Sequence, residues 1–78
     1  MNRAIRDAAK RAKTGDAPDR IASDTTASVV AAGFAKVDYV AIRDAATFGP
    51  YDHGAGRPGR VLAAAWLGKT RLIDNVEI

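Results

Sequence analysis

The apolar residues of this chain change their period at one place. Up to Gly33 they recur every third or fourth position, and from Val37 onward they alternate or run together. A chain of 78 residues is thereby divided into a helical first half and an extended second half. Ala4, Ile5, Ala8, Ala9 and Ala12 form an apolar stripe with charged residues between them, which predicts an amphipathic helix over residues 2–13. Thr14-Gly15-Asp16 interrupts it. Pro18 suits the first position of a second helix, and Ile21, Ala22, Thr25, Val29 and Ala32 carry a second stripe to Gly33. Ser23, Thr25, Thr26, Ser28 and two valines are weak helix formers, so packing rather than propensity must hold this element.

Residues 36–44 read as a strand, with Val37, Tyr39 and Ala41 on one face and Val40 and Ile42 on the other. From Ala45 to Gly59 four glycines and two prolines mark a loop, long for a connection. The run RVLAAAWL is compatible with a buried strand or, through its three alanines, with a helix; a strand is the expectation. TRLIDNVEI then supplies a final extended segment after Gly68. The order helix, helix, strand, strand, strand predicts an α+β fold, two N-terminal helices packed on a small, mainly antiparallel sheet of two to three strands.

A single domain of this size buries only roughly 60 to 65% of its unfolded surface, a thin basis for an independent enzyme. The absence of cysteine excludes disulfides and thiolate metal ligands, and there is no apolar run long enough to span a membrane. The start, MNRAIRDAAKRAK, carries charge throughout and so lacks the apolar core of a signal peptide. A cytoplasmic protein is expected. Six basic residues (Arg3, Arg6, Lys10, Arg11, Lys13, Arg20) against three acidic ones fall within residues 1–20, while the remainder balances six against six. This excess is read as a solvated helix face, because no aromatic residue among the charges could stack a base. The alternatives are a small basic module that binds nucleic acid through this helix, and a protein-interaction module.

Few residues offer chemistry. Gly68-Lys69-Thr70 looks like the end of a phosphate-binding loop, but the first glycine of that loop would fall on Ala63, and the next segment is extended rather than helical. His53 is the only histidine and is expected to be solvated in its glycine-rich loop. Asp38 and Asp44 are six positions apart, roughly 20 Å along a strand and too far for paired acid and base work. They read as surface charge or turn caps, Asp74-Asn75 reads as a turn-forming pair, and Trp66 and Leu67 read as core or a docking face. No catalytic residue and no metal site is expected in the chain.

Taken whole, the second half is similar to a known family. VDYVAIRDAATF (Val37 to Phe48) and RVLAAAWLGKTRLIDNVEI (Arg60 to Ile78), separated by a glycine-rich spacer, resemble the C-terminal end of the pantothenate synthetases, the pantoate and β-alanine ligases. In that family the first segment reads close to V-D-Y-V-E-V-R-D-A-x-T-L and the second close to A-R-L-L-V-A-A-R-L-G-K-T-R-L-I-D-N-I. The helical half fits the same place in order and length. Ala41 departs from a common glutamate and Trp66 from a common arginine, which puts any family contact at those two positions in doubt.

The resemblance implies an ATP-dependent ligase that makes pantoyl adenylate and pyrophosphate from pantoate and ATP. β-Alanine then displaces AMP to give pantothenate, on the route to coenzyme A. It implies a large N-terminal nucleotidyltransferase-type Rossmann domain, absent from these residues together with the family's catalytic motifs. This chain would be the small C-terminal lid domain, inactive alone, with Met1 at an internal boundary. ATP and Mg2+ are implied for the intact enzyme and none for this fragment. The implied partners are the N-terminal domain and the substrates pantoate and β-alanine, without nucleic acid or membrane, in a homodimer formed through the missing domain. Lys69 and then Arg71 are the candidates for facing nucleotide phosphates on lid closure.

Overall fold

In the computed structural model, which describes residues Met1–Ile78, helix α1 spans Asn2–Lys13 and helix α2 spans Pro18–Ala31. Lys10, Arg11 and Lys13 occupy the last turn of α1, where their charge complements the helix dipole. Arg11 also ties the two helices together: its Nε donates to Asp16 and its Nη1 to Asp24, both at 2.9 Å. Pro18 stands at the start of α2 as its sequence predicts. Strands β1 (Lys36–Asp44), β2 (Gly59–Leu67) and β3 (Thr70–Glu77) follow, in the spatial order β1-β2-β3 and antiparallel throughout. The fold is α+β, and RVLAAAWL is the central strand.

The helices cover one face of the sheet. Ile5, Ala8, Ala9 and Ala12 of α1 meet Ile21 of α2 and Ile42, Val61 and Ala63 of the sheet in the main core, while Val29, Phe34 and Ala65 form a second cluster. Alanine facing alanine keeps α1 close to β2. The largest fully buried side chains are only Ile5, Ile21, Val29 and Val61. Each stabilises the fold by roughly 1.5–3 kcal/mol on leaving water, so the core is modest.

One irregularity decides which residues of β1 face the helices. Val37 pairs with Ala65 but Tyr39 pairs with Ala64, so Asp38 is an extra residue, a β-bulge. The strict alternation expected from the sequence is therefore corrected. Val37 shares the inner face with Val40 and Ile42, packing against the buried clusters, and Tyr39 and Ala41 fall on the outer face. A single added residue moves every later side chain to the opposite side.

The 45–58 connection is held by specific bonds. The Asp44 carboxylate, 5% exposed, accepts the backbone N–H groups of Ala46 and Thr47 at 2.9 and 3.1 Å, and Arg43 forms a bridge with Pro50. Asp44 is thus a turn cap, one of its two expected roles. The ring of Tyr51 lies so close to Gly59 that a Cβ there would collide with it. His53 is exposed, yet its Nε2 meets the carbonyl of Lys13 at 3.0 Å, so the loop is fastened to the C-terminus of α1.

Asp74-Asn75 is not a turn. Both residues lie inside β3, paired with Ala63 and Leu62. Asp74 accepts a hydrogen bond from Asn2 of α1 at 3.1 Å, and Asn75 accepts one from Arg60 at 2.7 Å. Flanking Leu72, Ile73 and Val76 pair well with β2, and that ladder outweighs the turn preference of the two polar residues.

Candidate functional site

The stretch that first suggested a phosphate loop is a β-hairpin turn. Leu67 pairs with Thr70, leaving Gly68 and Lys69 as a two-residue connection. Gly68 has φ +60°, the left-handed value that such a turn requires at its first central position and that only glycine adopts without strain. Gly68 is therefore explained by chain reversal. Lys69 sits at the projecting tip, exposed and without an ion pair.

Arg71 is held differently. Its Nε donates to the Asp38 carboxylate at 2.8 Å, and Trp66 Nε1 donates to the same oxygen at 3.2 Å. Trp66 and Arg71 are cross-strand neighbours on β2 and β3, and the bulge in β1 turns Asp38 toward them. Lys36 adds a longer contact to the other carboxylate oxygen at 3.8 Å. The Arg71 hydrogen bond is the main cause holding Asp38 below the usual carboxylate range, helped by Trp66 and by the charges of Arg71 and Lys36 and opposed by partial desolvation. Asp44 is also lowered, first by the N–H groups of Ala46 and Thr47 and then, against desolvation, by the charge of Arg57 at 3.8 Å.

The two candidates thus occupy one end of the sheet in unlike states: Lys69 free at the tip, Arg71 locked at its base. Neither lines a cavity. The roomiest grooves, of about 410 and 400 Å³, lie between α1 and α2 and beside β1 near Tyr51. Asp38 as the partner of Arg71 was invisible in sequence, 33 positions away; only the hairpin register and the bulge bring them together. The basic residues Arg3, Arg6, Lys10 and Lys13 are exposed along α1 without carboxylate partners, and Arg11 is the one drawn into ion pairs.

The family model for pantoate-beta-alanine ligase matches residues 1–77. This chain belongs to the pantoate-beta-alanine ligase family. A pantothenate synthetase of Mesorhizobium japonicum is 45% identical over 78 residues, covering 100% of the chain and 27% of the relative. That of Hyphomonas neptunium is 41% identical over 81 residues, covering 96% of the chain and 27% of the relative. A third, from Paramagnetospirillum magneticum, reaches 57% identity over 47 residues, 60% of the chain and 16% of the relative. The chain therefore spans 27% of the length of the first two ligases it matches. No helix is long and apolar enough to cross a membrane.

Proposed function

We propose that this chain is the C-terminal lid domain of a pantoate-beta-alanine ligase, closing over a larger nucleotide-binding portion of the same enzyme. The family match over residues 1–77 is the observation that carries this reading. In the reaction, the pantoate carboxylate attacks the α-phosphorus of ATP, releasing pyrophosphate and leaving pantoyl adenylate. The β-alanine amine then attacks the acyl carbon, the C–O bond to AMP breaks, and pantothenate is released. Both steps are favoured when water is kept from the acyl adenylate, and a lid serves that end without holding the main catalytic groups.

The hairpin supports such a role. Lys69 projects from a two-residue turn with its ammonium unpaired, a form suited to meeting phosphate oxygens that another surface presents. Arg71, fixed by Asp38, braces the base of the tip and would reach phosphate only by leaving that partner. No group of three or more His, Asp or Glu side chains gathers in this chain. In this reading the lid contributes positioning and water exclusion through its own side chains.

In the full-length ligase, Lys69→Ala is expected to lower kcat/KM for ATP about tenfold, the loss of one charge-assisted contact, with partial recovery in Lys69→Arg. Unchanged steady-state kinetics in Lys69→Ala would remove Lys69 from the nucleotide site. The 78-residue chain is expected to form no pantothenate alone, and turnover by it would refute the lid reading.

A further inference from the structure

We propose that the sheet face turned away from the helices is the surface on which this chain docks against the larger portion of the same ligase. The inference rests on the lid reading above and specifies which face that lid presents. An antiparallel sheet with one face toward solvent ordinarily carries polar residues there. Here the outer face bears Tyr39, Ala41, Leu62, Ala64, Trp66 and Ile73, placed together by the register of the three strands. Ile73 is 63% and Tyr39 39% exposed, while Ala64 between them is fully covered. The result is a contiguous apolar patch over the middle of the sheet.

Its border is polar and, apart from the exposed Arg43 beside Ala41 and Leu62, paired. Asp38 is bound by Arg71 and Trp66 at one end, and Arg60 by Asn75 and Glu77 at the other. A surface laid over the patch would meet few unpaired charges, so the desolvation that opposes docking is small.

The size of the face selects the occupant. Three strands about 4.8 Å apart and some eight residues long present roughly 350 Å², well below the ~800 Å² that each partner of a stable bimolecular complex buries. A patch of that size is too small to hold a second copy of the chain. It suffices for a surface on the same polypeptide, whose effective concentration is of millimolar order. In the Mesorhizobium japonicum relative this chain corresponds to 27% of the length, so most of that ligase lies outside the matched region and supplies such a surface. Docking here also sets the turn Gly68-Lys69, next to Trp66 and Arg71, against that portion.

Hydroxyl-radical footprinting read by mass spectrometry tests the assignment. Trp66 and Tyr39 are expected to oxidise several-fold more slowly in the full-length ligase than in the 78-residue chain, with Phe48, 65% exposed beyond the other end of β1, as the unprotected reference. In full-length Ile73→Glu both rates should return to those of the 78-residue chain. The same substitution should lower the melting temperature of the 78-residue chain by a few degrees at most and leave it folded, because Ile73 is largely exposed in it. Equal oxidation of Trp66 and Tyr39 in both proteins overturns the proposal, and so does concentration-dependent protection in the 78-residue chain alone, which would give the face to a second copy. Pantothenate formation by the wild-type full-length protein tests the ligase reading separately. A protein that makes pantothenate yet leaves both rings unprotected sinks only the docking face. One that makes none but protects both rings sinks only the ligase reading.

Discussion

Asp38 and Arg71 meet across the strand that separates them: the carboxylate on β1 accepts from the guanidinium on β3 at 2.8 Å, over the outer face of β2. That reach exists because the bulge supplies one extra residue just before Tyr39 and turns Asp38 outward. The pair clamps both outer strands beside the hairpin tip that carries Lys69, so strand irregularity, electrostatics and the candidate site are linked at one point.

Replacing Asp38 by Asn tests the clamp with little change of shape. A carboxylate held below its ordinary pKa stabilises the fold above about pH 4, and this contribution disappears as pH falls through the lowered folded value. The Asp38→Asn chain should therefore melt at a lower temperature than wild type at pH 7, and the two should converge as the pH is taken down toward 2. A constant gap between the two melting curves across that range would show that the charge does not contribute. Trp66 emission should also shift, since its indole loses a charged acceptor.

Asp44 acts on the opposite end of β1. Its carboxylate holds the N–H groups of Ala46 and Thr47, so Asp44→Ala is expected to free the first turn of the connection. Amide hydrogen exchange at Ala46 and Thr47 should rise markedly while that of Val61 and Ala63, in the central strand, rises only with any global loss of stability. Exchange that stays slow at Ala46 and Thr47 would mean the turn holds without the cap.

Alanines at the contact of α1 and β2 set the thickness of the domain. Ala63 is fully buried in the cluster with Ala8, Ala9 and Ala12, leaving no space for a branched side chain. Ala63→Leu is expected to destabilise by about 1–3 kcal/mol through overpacking, seen as a lower urea midpoint. A midpoint equal to wild type would mean the helix can move off the sheet without cost.

The elements themselves were legible because their signals are local. Helical spacing with Pro18 and Gly33 as punctuation, and the run rich in β-branched residues after it, placed both helices and all three strands to within two residues. Val37 was misjudged in facing and Asp74-Asn75 in role for a different reason: a bulge and a strand register are settled by pairing with distant residues, and neither leaves a mark in the neighbouring sequence. For Asp74-Asn75 the turn preference was real but weaker than a complete ladder with β2. G-K-T already failed as a phosphate loop at Ala63, and the backbone shows what its glycine serves, a tight reversal at Gly68. Lys69 was legible as a candidate, whereas the fixed state of Arg71 depended on its long-range carboxylate.

Phe48 offers a test of strain. It is the only non-glycine residue with positive φ, at +58°, and its ring is 65% exposed. The turn forces this conformation, because Phe48 N–H donates to the Asp44 carbonyl and the Gly49 carbonyl accepts from Asp44 N–H, both at 2.9 Å. A bulky residue is disfavoured in that region while asparagine tolerates it, and little packing is lost when an exposed ring is removed. Phe48→Asn should therefore stabilise the 78-residue chain by about 0.5–1 kcal/mol, raising its melting temperature by a few degrees. Phe48→Ala removes the same ring without gaining tolerance of the left-handed region, so it should fall below the asparagine variant. Equal melting temperatures for the two variants would show that the left-handed backbone at residue 48 carries no strain.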